Sequence, residues 1–399
     1  MTAEDLLTRT LLEVVETTDY PTTSTAEVLN RSRTIRRQHR RTTLLVAAAA
    51  VLALGGVSAA VVLDRHGSAN LGPSSKPNPA AKLPDIPQGA APKVGILYGD
   101  VYLTPQGERI TSPAFRHAAA AAPTTGGVLV VSQSNWRHPR NDVSLVSDGA
   151  TTPLGCGLPG FAMGPGDPVY WLFDDGCGDA TSTGHLVEGT KTLAAAQGAP
   201  FPVATLDSGV VVNGPAWLPD PQKHPGSVRT LGRAAALVIA PDGTARRIPH
   251  LATAQTATRA GDLVAGLNQI DTSAVVVDAS TGAVRWRAAA WTLSHFSASG
   301  QYVSGTQSVG PQTSPGVGDV VGIFDSASGR LVRSVVLPDM VVKSQAVWEG
   351  DDAVLVVAQD AAHQESILRI GVDGSVTRAT KVLPPTEVRQ YGFRLAATP

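Results

Sequence analysis

From Val94 to the C-terminus the chain repeats one unit: a short β-branched strand, a tight turn closed by glycine, and a second strand. The turn glycines are Gly107, Gly149, Gly189, Gly243, Gly282, Gly329 and Gly374, spaced 42, 40, 54, 39, 47 and 45 residues apart. Asp-Gly pairs such as Asp148-Gly149 and Asp242-Gly243, and the longer Asp278-to-Gly282 and Asp325-to-Gly329 forms, supply the positive φ that a hairpin turn requires. A period of 40–45 residues with four strands per unit is the spacing of β-propeller blades. Seven such turns predict an all-β domain of seven blades over residues 94–399. No long helical pattern interrupts it. The alanine runs Ala118–Ala122 and Leu193–Ala196 are too short to build a helix on.

A different constraint lies upstream. Thr43 to Leu63 is a run of 21 residues without a charge. As a helix it spans roughly 30 Å, the hydrocarbon thickness of a bilayer, and a lone segment can cross only as a helix, which satisfies its own backbone. A buried core helix of this length would show a polar face. A cleaved signal peptide would need a 42-residue segment ahead of its apolar part. A retained transmembrane signal-anchor is therefore expected. Arg31, Arg33, Arg36, Arg37, Arg40 and Arg41 precede it with no acid among them, whereas Asp64 and Arg65 follow it. The positive-inside rule places residues 1–42 in the cytoplasm and the large C-terminal part outside. The same arginines would rest on anionic headgroups of the bilayer. With no interleaved aromatic and a chain net charge of −1, they imply no nucleic-acid partner.

The cytoplasmic head opens on an amphipathic pattern over residues 1–20, with Leu7, Leu11 and Val14 on one stripe. It reads either as a docking helix for a cytoplasmic partner or as a weakly ordered tail, since a lone helix this short is marginal in water. Residues 64–93 form a Pro-rich linker that would hold the next domain away from the bilayer. The two cysteines, Cys156 and Cys177, both fall in the exported part, where a pair is expected to bridge. The bridge would close a 22-residue loop and contribute about 3 kcal/mol.

Two stretches carry a family resemblance. Val275–Arg287, VVVDASTGAVRWR, resembles the blade signature of quinoprotein-type (PQQ-like) propellers, in which a Thr-Gly turn is followed by a Trp that packs between blades. Thr281, Gly282 and Trp286 match that signature. His295–Gly305, HFSASGQYVSG, resembles the opening of WD40- and TolB-like blades, with Ser299 where an acid is usual. The resemblance implies a fold, not quinone catalysis. The whole layout is similar to the membrane-anchored propeller proteins of high-GC Gram-positive bacteria, and in topology to transmembrane anti-sigma factors, whose zinc-binding His-x-x-x-Cys-x-x-Cys is absent here.

No nucleophile elbow, zinc-protease motif, P-loop or dinucleotide fingerprint appears. The acidic cluster Asp174, Asp175 and Asp179 lacks the alternating ligands and closing Glu of a calcium loop. Tyr170, Trp171 and Phe173 read as blade packing. The polar connection holding Trp136, Arg137, His138 and Arg140 is the segment most suited to facing a ligand. No catalytic residue, metal or cofactor is expected. The leading expectation is an extracytoplasmic module that binds an envelope protein or ligand and relays or docks through its head. The alternatives are a hydrolase or quinoprotein-like enzyme and a structural envelope component.

Overall fold

A computed structural model describes residues 82–396 apart from 134–140, 159, 165, 175–182, 198–199, 220–227, 271–272 and 308–317. The expected cytoplasmic head, the arginine cluster, the apolar run, Cys177 and the Trp136–Arg140 connection lie outside the described residues. Among the described residues no helix is long and apolar enough to cross a membrane.

Seven antiparallel sheets follow one another along the chain. Blade 1 holds β1 (Ile96–Tyr98), β2 (Val101–Leu103) and β3 (Arg109–Thr111). Blade 2 holds β4 (Ala118–Thr124), β5 (Gly127–Gln133), β6 (Asn141–Ser147) and β7 (Ala150–Cys156). Blade 3 is β8 (Val169–Phe173), β9 (Thr183–Glu188) and β10 (Lys191–Gln197), with Ala162 bridging Val169 at its inner edge. Blade 4 is β11 (Phe201–Leu206), β12 (Gly209–Pro219), β13 (Val228–Ile239) and β14 (Ala245–Arg247). Blade 5 is β15 (Leu251–Thr258), β16 (Leu263–Asn268), β17 (Ala274–Asp278) and β18 (Val284–Ala288). Blade 6 is β19 (Thr292–Phe296), β20 (Tyr302–Gln307), β21 (Val320–Asp325) and β22 (Leu331–Val336). Blade 7 is β23 (Met340–Val342) and β24 (Val347–Glu349), both paired to β25 (Ala353–Asp360), then β26 (Glu365–Gly371) and β27 (Val376–Arg378). After the short helix α1 (Pro385–Tyr391), β28 (Arg394–Leu395) pairs with β1 and completes blade 1.

The core follows from this order. Middle strands are covered on both faces, so they read as unbroken apolar runs; all five residues of β17 are buried. Outer strands are wet on one side, and β3 buries none of its three residues. Seven apolar clusters fill the seven interfaces between neighbouring blades, and the one joining Ile96 of blade 1 to Leu355 and Ile367 of blade 7 shows that the ring closes.

All seven predicted turn glycines have positive φ, from 58° at Gly189 to 91° at Gly374, and each lies between the last two strands of its blade. Aspartate shapes the longer turns. Asp278 Oδ1 accepts from the Ser280 amide (3.1 Å), the Ser280 hydroxyl (2.6 Å) and the Thr281 amide (2.9 Å), while Oδ2 accepts from Arg285 at 2.8 Å. The Ser280 hydroxyl and Thr281 amide hold its carboxyl well below the usual range. Asp325 repeats the arrangement with Ser328 one blade later.

The fourth residue after the turn glycine reaches the next unit. Trp286 donates its Nε1–H to the Ser326 carbonyl (2.7 Å) and stacks on Phe324, with Gly329 against its ring. Arg333 donates to the Val372 carbonyl and lies against Gly374. Arg378 donates to the Ile86 carbonyl at 2.7 Å.

That last contact corrects the expected linker, whose final ten or so residues are part of the propeller. A 3-10 turn at Leu83–Asp85 buries Leu83 completely in the blade 6–blade 7 core. Gln88 then pairs in parallel with Arg378, and Arg369 donates to the Ala90 and Ala91 carbonyls at 2.9 and 3.0 Å. Pro84, Pro87 and Pro92 suit this place, because an outermost strand has N–H groups to spare. The alanine runs are strands, in β4 and β10: small side chains let neighbouring blades approach, and Ala118, Ala121, Ala122 and Ala194 are buried.

Candidate functional site

The innermost strands of all seven blades meet around one cavity of about 450 Å³. Blade 1 supplies Arg394 and Ala396, blade 2 Ala119 to Ala121, blade 3 Phe161, blade 4 Phe201 and Pro202, blade 5 Gln255, blade 6 His295, and blade 7 Gln345 and Val347. A cavity walled by every blade lies on the propeller axis. Among the described residues, its walls mix apolar side chains with six polar ones, Asn213, Gln255, His295, Ser344, Gln345 and Arg394.

Each polar group is positioned by an identifiable local cause. Asn213 of β12 donates from Nδ2 to the Ala254 carbonyl (2.6 Å) and accepts from the Ala254 amide (2.7 Å), so it imitates a strand partner and locks blade 4 to blade 5. Next along β15, Gln255 lines the cavity, and its Oε1 is buried without a hydrogen-bond partner. His295 donates from Nδ1 to the Ala346 carbonyl at 2.9 Å, which leaves Nε2 as the acceptor. Burial pushes its pKa down, against the opposing pull of that carbonyl, so the ring is neutral near pH 7. The His295 carbonyl is fixed in turn by the Trp348 Nε1–H at 2.7 Å.

Arg394 stands on the opposite wall. Its Nη1 donates to the Ala118 carbonyl and its Nη2 lies 3.5 and 3.4 Å from the carbonyls of Phe115 and Arg116. Burial lowers its pKa. Among the described residues that line the cavity there is no Asp or Glu.

The expected site residues fare differently. Thr281, Gly282 and Trp286 lie at the outer turn of blade 5, where they serve blade packing. Tyr170 and Trp171 are buried between blades at 2% and 0% exposure. Asp174 pairs with His185 Nδ1 at 2.7 Å on an exposed edge; among the described residues no hydroxyl or thiol hydrogen-bonds to that ring. No group of metal-binding side chains occurs among the described residues. Cys156 is buried at the end of β7. Sequence reasoning missed Gln255, His295 and Arg394. The signal that could have found His295 was its place just before the Phe-Ser-x-x-Gly blade opening, in the strand that faces the axis.

No protein-family model matches the chain, and no curated protein sequence does. Solved structures with a related course include the β-propeller domain of the Trilobed protease from Pyrococcus furiosus, at 9% identity and TM-score 0.45 over 70% of this chain and 89% of that one. Pyrococcus horikoshii acylaminoacyl peptidase is similar at 9% identity and TM-score 0.43 over 70% of this chain, which spans about half, 47%, of that enzyme. A eukaryotic initiation factor structure is similar at 12% identity and TM-score 0.35 over 73% of this chain and 98% of that one. The seven-bladed propeller fold itself rests on the seven sheets and their interfaces.

Proposed function

We propose that the chain is a membrane-tethered binding protein of the cell envelope, whose propeller captures a small ligand in its axial channel. The observation that carries the reading is the convergence of all seven blades on one cavity of about 450 Å³ whose walls mix apolar and polar side chains. Arg31 to Arg41 and the uncharged run 43–63 support a single span with the N-terminus in the cytoplasm and the propeller outside. An exported location also favours a Cys156–Cys177 bridge. The reading is non-enzymatic: the channel binds, and the head relays or docks.

The test is retention of a ligand by the full chain in lipid nanodiscs. After incubation with a small-molecule extract of the envelope, mass spectrometry should find a compound enriched on the native protein. Ala120→Trp, which fills the channel from β4, should lose it. Equal retention by both proteins would place binding elsewhere and overturn the reading.

A further inference from the structure

Besides the amides Asn213 and Gln345 and the Ser344 hydroxyl, the described channel lining carries one charged donor, Arg394, and two acceptor-bearing side chains, Gln255 and His295, on separate blades. Arg394 belongs to blade 1, whereas Gln255 and His295 belong to blades 5 and 6, two to three blades away around a ring of seven. The Arg394 side bears a full positive charge. Its Nη donors are met by backbone carbonyls, which satisfy geometry and leave the charge without a counterion among the described lining residues. A partly desolvated charge without an opposite partner is costly, and an anion bound beside it offsets that cost. The other side bears acceptors. Gln255 Oε1 is buried and unpartnered, and His295 Nε2 has no hydrogen-bond partner among the described residues while its Nδ1–H is committed to Ala346. An unmet buried acceptor calls for an N–H or O–H. Between the two sides stand Phe161 and Phe201, which suit an apolar or aromatic body.

We infer that the channel ligand is a small organic carboxylate that carries an N–H or O–H donor away from its charge: the carboxylate lies on the Arg394 side, and the donor meets His295 Nε2. This assignment rests on the channel being the binding site. It differs from a purely structural role for Arg394 as a latch on the C-terminal strand, because a latch predicts nothing about ligand charge.

Three matched probes separate the features. N-benzoylglycine has the carboxylate, the N–H and an aromatic body. Its primary amide lacks the charge. 4-Oxo-4-phenylbutanoate keeps the charge and replaces the N–H by CH₂. Binding is followed on the full chain in nanodiscs by isothermal titration and by the ¹⁵N signals of the His295 ring. The expected result is saturable binding of N-benzoylglycine with movement of the His295 signals, at least tenfold weaker binding of the amide, and several-fold weaker binding of the ketone. Arg394→Gln should abolish the preference for acid over amide. If that variant does not fold, Ala119→Asp serves instead: it adds a carboxylate one residue beyond the carbonyl that Arg394 meets, at an exposed position, and should weaken the acid selectively.

Equal binding of acid and amide, with the His295 signals moving for both, overturns the anion assignment and leaves the channel reading standing. Equal binding of acid and ketone overturns the donor assignment alone. Failure of all three probes to move the His295 signals in the folded protein overturns the ligand class, and the retention experiment with Ala120→Trp then decides the channel reading separately.

Discussion

Gly329 sits at φ 71° in the outer turn of blade 6, and a Cβ there would lie 2.6 Å from the Trp286 ring. It therefore carries two constraints, one from its own backbone and one from the neighbouring blade. Gly107 separates them: its φ is 85°, yet a Cβ would meet nothing within 4 Å. Gly107→Ala should cost only the left-handed backbone penalty, about 1–2 kcal/mol. Gly329→Ala adds overpacking against a rigid indole and should cost about 2–5 kcal/mol in all. Denaturant unfolding of the two variants measures the difference, and equal losses would show that Trp286 yields freely. The positive φ was legible from sequence, because an Asp one or four residues before a Gly writes the turn locally. The contact with Trp286 was legible only through resemblance.

At the level of elements, the outer strand of each blade acts as a connector. The residue four places after the turn glycine is Trp286, Arg333 or Arg378 in the last three blades, and each bonds a carbonyl of the next unit. For Arg378 the next unit is the segment ahead of β1, which explains why residues 83–91 are bound to the propeller. Leu83 is the anchor of that segment, with no exposed surface. Leu83→Ala should destabilise the domain by about 2–5 kcal/mol, read as a lowered denaturation midpoint. A change below about 0.5 kcal/mol, the size of an ordinary surface substitution, would mean that the segment is a linker after all. Its composition concealed this, since proline-rich chain looks alike whether solvated or lying along a sheet edge that asks few N–H groups of it.

At the level of the whole molecule, the ring is closed by two residues of β28 pairing with β1, by the Ala396 amide donating to the Gly95 carbonyl at 2.9 Å, and by Arg394 reaching into blade 2. Apart from the Gln88 bridge to Arg378 at the edge of blade 7, every other blade draws its strands from neighbouring sequence, whereas blade 1 joins residues about three hundred positions apart. Deleting residues 393–399 should open the ring at blade 1. Hydrogen exchange should then rise first in β1 and β2, together with a lower thermal midpoint. Unchanged protection of residues 96–103 would show that the blade interfaces hold the ring without the strand closure.

Local patterns carried the repeat because each turn depends on residues only a few positions apart. Aspartate, glycine and the β-branched runs state their conformation without help from the rest of the chain, and the number of blades follows from counting them. The channel obeys no such rule. Gln255, His295 and Arg394 come from different blades, with no shared spacing, and they face one cavity only because seven sheets pack around an axis and the last strand returns to the first. Their chemistry depends on burial, on the absence of an acid among the described lining residues, and on which carbonyls already occupy their donors. Those are properties of the closed ring, so tertiary structure alone decided where the candidate site lies.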